Sequence, residues 1–421
     1  MGSYEAVKVR LDPTPRQGRL MASHAGAARF AYNAGLAHVK EALDNGESPD
    51  WSHYALLRWW NANKDTLAVN PDTGVVWWGQ NSKESYNMAL YGLARGFSNW
   101  SKSRKGQRKG RRIGFPRFKS KNAVAKFAYS TGFTAPKASD PYGLKLSRIG
   151  RVHCMENVYR LLAGARLIRI TVSRRAGCWY ASLTVEREQS PSPVCTPKGG
   201  AVGVDLGVKN LATLSDGTVI ANPRALGTRL KALRKAQKAL SRKVKGSARR
   251  EKAKERVARL HARVADVRAD AIHKATTMIA RNYSVVCIED LHVAGMVKNH
   301  SLARSVSDAA FGEFRRQLEY KTARSGAALH VVDRWYRSSK TCSGCGSVKA
   351  KLSLSERTYR CDSCGLVLDR DLNAAINICV AGSAPETLNA HGATVRRSDR
   401  SSGHRTRVAV KCEPSRRRKA P

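Results

Sequence analysis

The sequence predicts an α/β protein of several domains, and three observations carry that expectation. Its 421 residues exceed an ordinary single domain and leave room for roughly two to four modules, each able to bury a core. Strand-like alternation is interleaved with long stretches of helical periodicity. A hydrophobic content of 42% suits a folded chain rather than a disordered one.

Charge points to the partner class. Seventy-six Lys and Arg stand against 32 Asp and Glu, a net charge of +44, so the compact state repels itself strongly. A polyanion relieves that repulsion, and released counterions add to its affinity. Solubility alone needs far less charge of one sign. An acidic membrane surface is a poorer partner, because no lipidation motif or basic amphipathic anchor is present. No apolar run approaches the roughly 20 residues that span a bilayer, and the N-terminus lacks a signal peptide's apolar segment. A nucleic-acid partner, no membrane and a cytoplasmic, nucleoid-associated location are expected.

The elements follow in order. Tyr4–Pro13 alternates as a strand and stops at a proline. From Pro15 to Val39, Leu20, Ala27, Phe30, Ala31, Ala34 and Leu36 keep helical spacing. A second helix carries Tyr54, Leu57 and Trp60, and a third, Ser82 to Trp100, aligns Tyr86, Leu90, Leu93, Phe97 and Trp100. These stripes predict bundle core, with Trp77 and Trp78 as the exposed aromatics. Ser101 to Lys121, Lys/Arg-rich with Phe115 and Phe118 interleaved, reads as a loop facing nucleic acid. LKLSRIGRVHC, ARLIRITVSRR and CWYASLTVERE are strands of a small β-barrel or sheet module, closed by the Pro/Ser/Gly linker SPSPVCTPKGG. AVGVDLGVKNLATLSDGTVIANP then gives strand, turn, strand, an Asp216-Gly217 hairpin turn and strand. Leu226, Leu230, Leu233, Leu240 and Val244, resumed from Val257 to Ala271, predict a basic helical hairpin. SVVCIEDL and ALHVVDRW are strands flanking a helix from Asp308 to Ser325.

Two constellations carry chemistry. Cys342-x2-Cys345 and Cys361-x2-Cys364 are separated by 15 residues, with glycine after each pair. Two thiolates on each of two knuckles make a closed tetrahedral zinc site, structural rather than catalytic. The other six cysteines are scattered and expected to be reduced. The second constellation is acidic: Asp205 within VGVDLGVKN, Glu289 and Asp290 ending SVVCIED, and Asp369 and Asp371 in LDRDLNAAINI. Each has apolar flanks that otherwise read as core. Such carboxylates could hold two magnesium ions that activate water against a phosphodiester. Each alone could also be a turn or cap residue, Asp371 especially as an N-cap.

With these residues the sequence resembles the insertion-sequence-encoded TnpB (OrfB) proteins, relatives of compact type V CRISPR effectors. The matching stretches are GVDLGVKNLAT, IEDL, SSKTCSGCG, YRCDSCG and DRDLNAAINI, with weaker ones at VRLDPTPRQ, ARFAYN and GFPRFKSK. The resemblance implies an RNase H-like RuvC nuclease domain over 201–340 and 366–380, with the zinc ribbon 341–365 inserted and the basic hairpin at 224–283. It implies a β-barrel wedge module (1–12 and 122–190) interrupted by a helical recognition module (13–121), then a linker at 191–200. Residues 381–421 are expected to be a disordered basic tail.

The same resemblance implies Asp205, Glu289 and Asp371 as magnesium-binding catalytic acids, with Asp290 and Asp369 in neighbouring non-ligand places. It implies a guide RNA as cofactor and double-stranded DNA, cut beside a short adjacent motif, as target. Two rivals are an RNA-guided or zinc-ribbon binder without cleavage and an accessory transposition protein.

Overall fold

A computed structural model of the chain describes residues 3–187, 197, 199–353 and 355–383. The linker expected at 191–200 lies outside these except for residues 197, 199 and 200, and the expected tail lies outside them from 384 onward. The described residues of 1–189 and 246–259 form one compact unit, and those of 190–245 and 260–421 form the other.

The first unit begins with strand β1 (Ser3–Asp12) and helix α1 (Pro15–Asp44). Pro15 opens α1 where no backbone donor is needed, and Thr14 and Gln17 close a reciprocal capping box. Helices α2 (His53–Leu67) and α3 (Lys83–Arg104) complete a helical cluster. Tyr86, Leu90, Leu93 and Phe97 of α3 are buried against Ala27, Ala31 and Leu36 of α1, so those stripes are core. The approach of α1 to α3 is close enough that a Cβ on Gly35 would stand 2.9 Å from a Leu90 methyl.

Two details differ from the sequence expectation. On α2 the buried residues are Leu56 and Trp60, while Tyr54 is 80% exposed, because the inward face is set by the 56/60 pair one turn apart. Trp77 and Trp78 are half-buried rather than exposed. Trp77 meets Phe30 edge-on at 5.0 Å, and Trp78 donates from Nε1 to Asp65 at 2.7 Å. In the basic segment after α3, Phe115 packs on Phe97 and Trp100, Lys119 lies over the Tyr32 ring, and Phe118 remains exposed.

Strands β2 (Lys126–Tyr129), β3 (Phe133–Thr134), β4 (Gly143–Leu146) and β5 (Gly150–Cys154) follow. Short helix α4 (Val158–Leu161) precedes β6 (Ala165–Arg175) and β7 (Cys178–Arg187). They form an antiparallel sheet of order β2-β6-β7-β1-β5-β4-β3. β2 and β3 stand at its ends, with no ladder joining them among the described residues.

The second unit is built on β8 (Gly199–Asp205), β9 (Asn210–Leu214) and β10 (Val219–Ala221), an antiparallel meander. Asp216 and Gly217, the latter at φ +89°, make its second turn. Helices α5 (Ala225–Ser241) and α6 (Ala248–Asn282) follow, and β11 (Tyr283–Glu289) then returns parallel to β8. Burial on these helices is concentrated near their base, from Val264 onward on α6. Val244 lies beyond the end of α5 and is 77% exposed, so the expected stripe does not extend to it. α7 (Val293–Met296), α8 (Ala303–Ala309) and α9 (Phe311–Ser325) lead to β12 (Ala328–Val332), parallel to β11. The sheet order is β10-β9-β8-β11-β12. Buried Asp308 of α8 accepts from Leu226 N at 2.9 Å and from Arg268 of α6 at 2.8 Å, tying three helices together. Strands β13 (Thr358–Arg360) and β14 (Val367–Asp369) pair beside the cysteines, and α10 (Arg370–Ser383) ends the described chain. Among the described residues no helix is long and apolar enough to cross a membrane.

Candidate active site and metal centre

Parallel pairing brings the first two acids to one edge. Val204 is in register with Ile288, so Asp205 and Glu289 end adjacent strands β8 and β11 side by side. Neighbouring strands lie about 4.8 Å apart, which makes these carboxylates neighbours. The third acid arrives on α10, whose backbone passes so near β8 that a Cβ on Gly203 would fall 1.9 Å from the Ala375 carbonyl oxygen. Only glycine permits that approach. Asp371 lies one helical turn before Ala375, on the same face.

The electrostatics record the convergence. Burial and the charges of Glu289 and Asp371 push the Asp205 carboxyl up to about 8. Burial also raises Glu289, opposed by a hydrogen bond donated by Ser338 Oγ. Arg370 Nη2 stands 3.3 Å from Asp371 Oδ1, and its charge acts to lower the Asp205 carboxyl against the other influences. The three carboxylates are not drawn as close as a finished metal cage. Among the described residues, only the four cysteines form a set of His, Cys, Asp or Glu ligand atoms all within 4.8 Å of one another. A divalent cation is the group such a set of three carboxylates would accommodate.

The neighbouring acids have other work. Asp290 is held well below the usual carboxylate range by hydrogen bonds from Arg334 and Arg315, the latter at 2.5 Å. Asp369 Oδ1 accepts from the backbone N–H groups of Asp371 and Leu372 at 2.9 and 3.2 Å. The cap of α10 is therefore Asp369, and the capping alternative for Asp371 is corrected: Asp371 lies inside the first turn with its side chain released from that task.

Cys342 Sγ and Cys364 Sγ are 3.6 Å apart, as are Cys345 Sγ and Cys361 Sγ. Tetrahedral zinc with Zn–S bonds of about 2.3 Å requires sulfur separations of about 3.8 Å, so the four thiols fit the ion. Gly346 and Gly365, at φ +75° and +74°, turn the chain after each pair. The backbone N–H groups of Cys364 and Ser363 hold the Cys361 thiol down at about 6, favouring thiolate.

Sequence reasoning missed the residues that join this centre to the acids. Buried Asn373 and Asn377 lie one turn apart on α10. Asn373 accepts from Ser343 N at 2.9 Å and donates to Thr341 O at 2.7 Å, and Asn377 donates to Ser338 O at 2.8 Å and Thr341 O at 2.7 Å. Ser338 thus binds α10 through its carbonyl and Glu289 through its hydroxyl. The signal was available: two asparagines four apart within an apolar helix.

Three family profiles match the chain: "Probable transposase" over residues 182–300, "Cas12f1-like, TNB domain" over 311–378, and "Helix-turn-helix domain" over 1–48. Residues 3–44 form a strand and one unbroken helix, so the last description does not fit what they build. A protein of Mycobacterium tuberculosis named "Putative RNA-guided DNA endonuclease" is 37% identical over 95% of this chain and 91% of its own. One of the same name from Escherichia coli is 32% identical over 91% and 94%. Among solved structures, a Cas12f1–sgRNA–target DNA complex matches with TM-score 0.51 at 14% identity, over 90% of this chain and 99% of that one, a likeness of fold.

Proposed function

Because this chain belongs to the TnpB (OrfB) family, we propose that it is an RNA-guided DNA endonuclease whose second unit is an RNase H-like (RuvC-type) nuclease domain. The observation that carries this reading is the juxtaposition of Asp205, Glu289 and Asp371, with Asp205 pushed up to about 8 by burial and by the other two charges. A meander followed by two parallel strands, β10-β9-β8-β11-β12, supports the same fold.

In this reading Asp205, Glu289 and Asp371 hold magnesium. Bound there, the metal supplies an activated water and neutralises charge on the leaving oxygen. The protein orients the site: Ser338 aims Glu289, Asp369 fixes the start of α10, and Gly203 lets that helix approach β8. The four cysteines hold a structural zinc. Residues 1–12 with 122–190 act as the wedge module and 13–121 as the recognition module. A guide RNA on the basic surface pairs with target DNA, since pairing rather than protein contacts discriminates many bases.

The test is incubation of the purified protein, its co-purifying RNA and a plasmid bearing the matching target with magnesium. Linear product that disappears in Asp205→Ala is expected. A wild-type ribonucleoprotein that binds the target and never cuts would leave an RNA-guided binder.

A further inference from the structure

Trp335 is the most exposed of the large apolar side chains among the described residues, at 82%. Tryptophan is on average among the most buried residue types, so an indole presented to solvent needs a reason. The segment holding it is firmly built. Arg334 is tied to Asp290, Trp335 N–H donates to Asp333 Oδ1 at 2.8 Å, and Tyr336 N–H donates to Asp333 O at 3.1 Å. Tyr336 turns inward against Cys287, Val332 and Ile378. Ser338, three residues beyond Trp335, donates to Glu289. Both ends of the segment are thus fixed to the acidic end of β11, while the indole between them packs on no other ring and carries no cation among the described residues. Three residues of extended chain reach at most about 11 Å, which bounds the distance from the Trp335 backbone to that of Ser338.

Charge selects the occupant. Asp290 is covered by Arg315 and Arg334, and Arg337 is exposed and makes no ion pair among the described residues. An exposed indole two residues from an exposed guanidinium without an ion pair suits a base with its phosphate. We propose that Trp335, with Arg337, is a stacking platform for one base of the single DNA strand delivered to Asp205, Glu289 and Asp371. The inference rests on the nuclease reading for its purpose. Its physical content, a base stacked on Trp335, can be read without cleavage.

The test uses the full ribonucleoprotein, in an Asp205→Ala background and in the wild-type background. The probe is a short single-stranded oligodeoxynucleotide carrying 5-iododeoxyuridine, cross-linked by light and mapped by mass spectrometry. The cross-link is expected on Trp335, absent in Trp335→Ala and retained in Trp335→Phe. Loss of one base stack, about 1–3 kcal/mol, corresponds to a rise of about 5- to 150-fold in the oligonucleotide's Kd and, for the cutting protein, in KM with kcat little changed. A cross-link elsewhere, or a Trp335→Ala protein that binds the oligonucleotide as tightly as its parent, would overturn the proposal. So would a substitution that changes only the oligomeric mass. If wild type never cuts but the cross-link falls on Trp335, the nuclease reading fails and the platform stands.

Discussion

Burial and the charges of Glu289 and Asp371 push the Asp205 carboxyl from an ordinary 3.8 up to about 8. Between those values the folded chain holds a proton that the unfolded chain releases, so stability falls as pH rises through that window, and the penalty is complete above about 8. Asp205→Asn removes the titration. In divalent-free buffer above pH 8, its melting temperature is expected to exceed wild type's by at least about 2–4 °C, which corresponds to about 1 kcal/mol. Its cleavage should fall by about 10³-fold or more, and added magnesium should stabilise wild type but not the variant; equal melting curves would refute the electrostatic account. The adjacent carboxylates at 289 and 290 should separate cleanly. Glu289→Ala is expected to abolish plasmid linearisation, whereas Asp290→Ala, which takes a partner from half-exposed Arg334 and leaves Arg315 with Glu319, should cost about 1 kcal/mol in a denaturant titration and leave cutting measurable. Sequence pattern alone did not divide that pair, because both acids end the same apolar strand. It also left open a cap at Asp371, since a helix start read from residues is uncertain by one or two positions.

At the scale of elements, the ribbon and α10 behave as one piece. Elemental analysis should find stoichiometric zinc in the wild-type protein and a loss of it in Cys361→Ser. Asn377→Ala leaves Ser338 O without its side-chain donor and Thr341 O with only that of Asn373. It should destabilise the protein by about 1–3 kcal/mol in thermal unfolding and lower cleavage through the loosened Ser338. Elements with strong punctuation were legible: α1 from Pro15, α3 from Ser82, the Asp216-Gly217 turn and the cysteine knuckles. The misjudged faces were aromatic. Tyr54 matches a helical period as well as Leu56 does, and neighbouring packing rather than spacing chose between them. Asp308 gave no local sign of its role, because the donors it satisfies lie 82 and 40 residues away.

For the whole molecule, charge was the most legible property and chain routing the least. A net +44 predicts RNA binding that weakens steeply with salt, by about 10³–10⁵ in affinity between 50 and 200 mM for 6–10 phosphate contacts; a flat filter-binding titration would contradict it. Nothing in the sequence punctuates α6 at residue 259, where the chain passes from one compact unit to the other, because a continuous helix hides such a boundary.

That Asp371 sits on the final described helix has a consequence for biosynthesis. The ribosome emits the basic modules and two of the three acids long before it reaches α10. On the proposed function, a message cut short ahead of codon 371 would yield a product that keeps the basic modules but lacks both the third acid and the helix packed against β8, and so should not cut DNA.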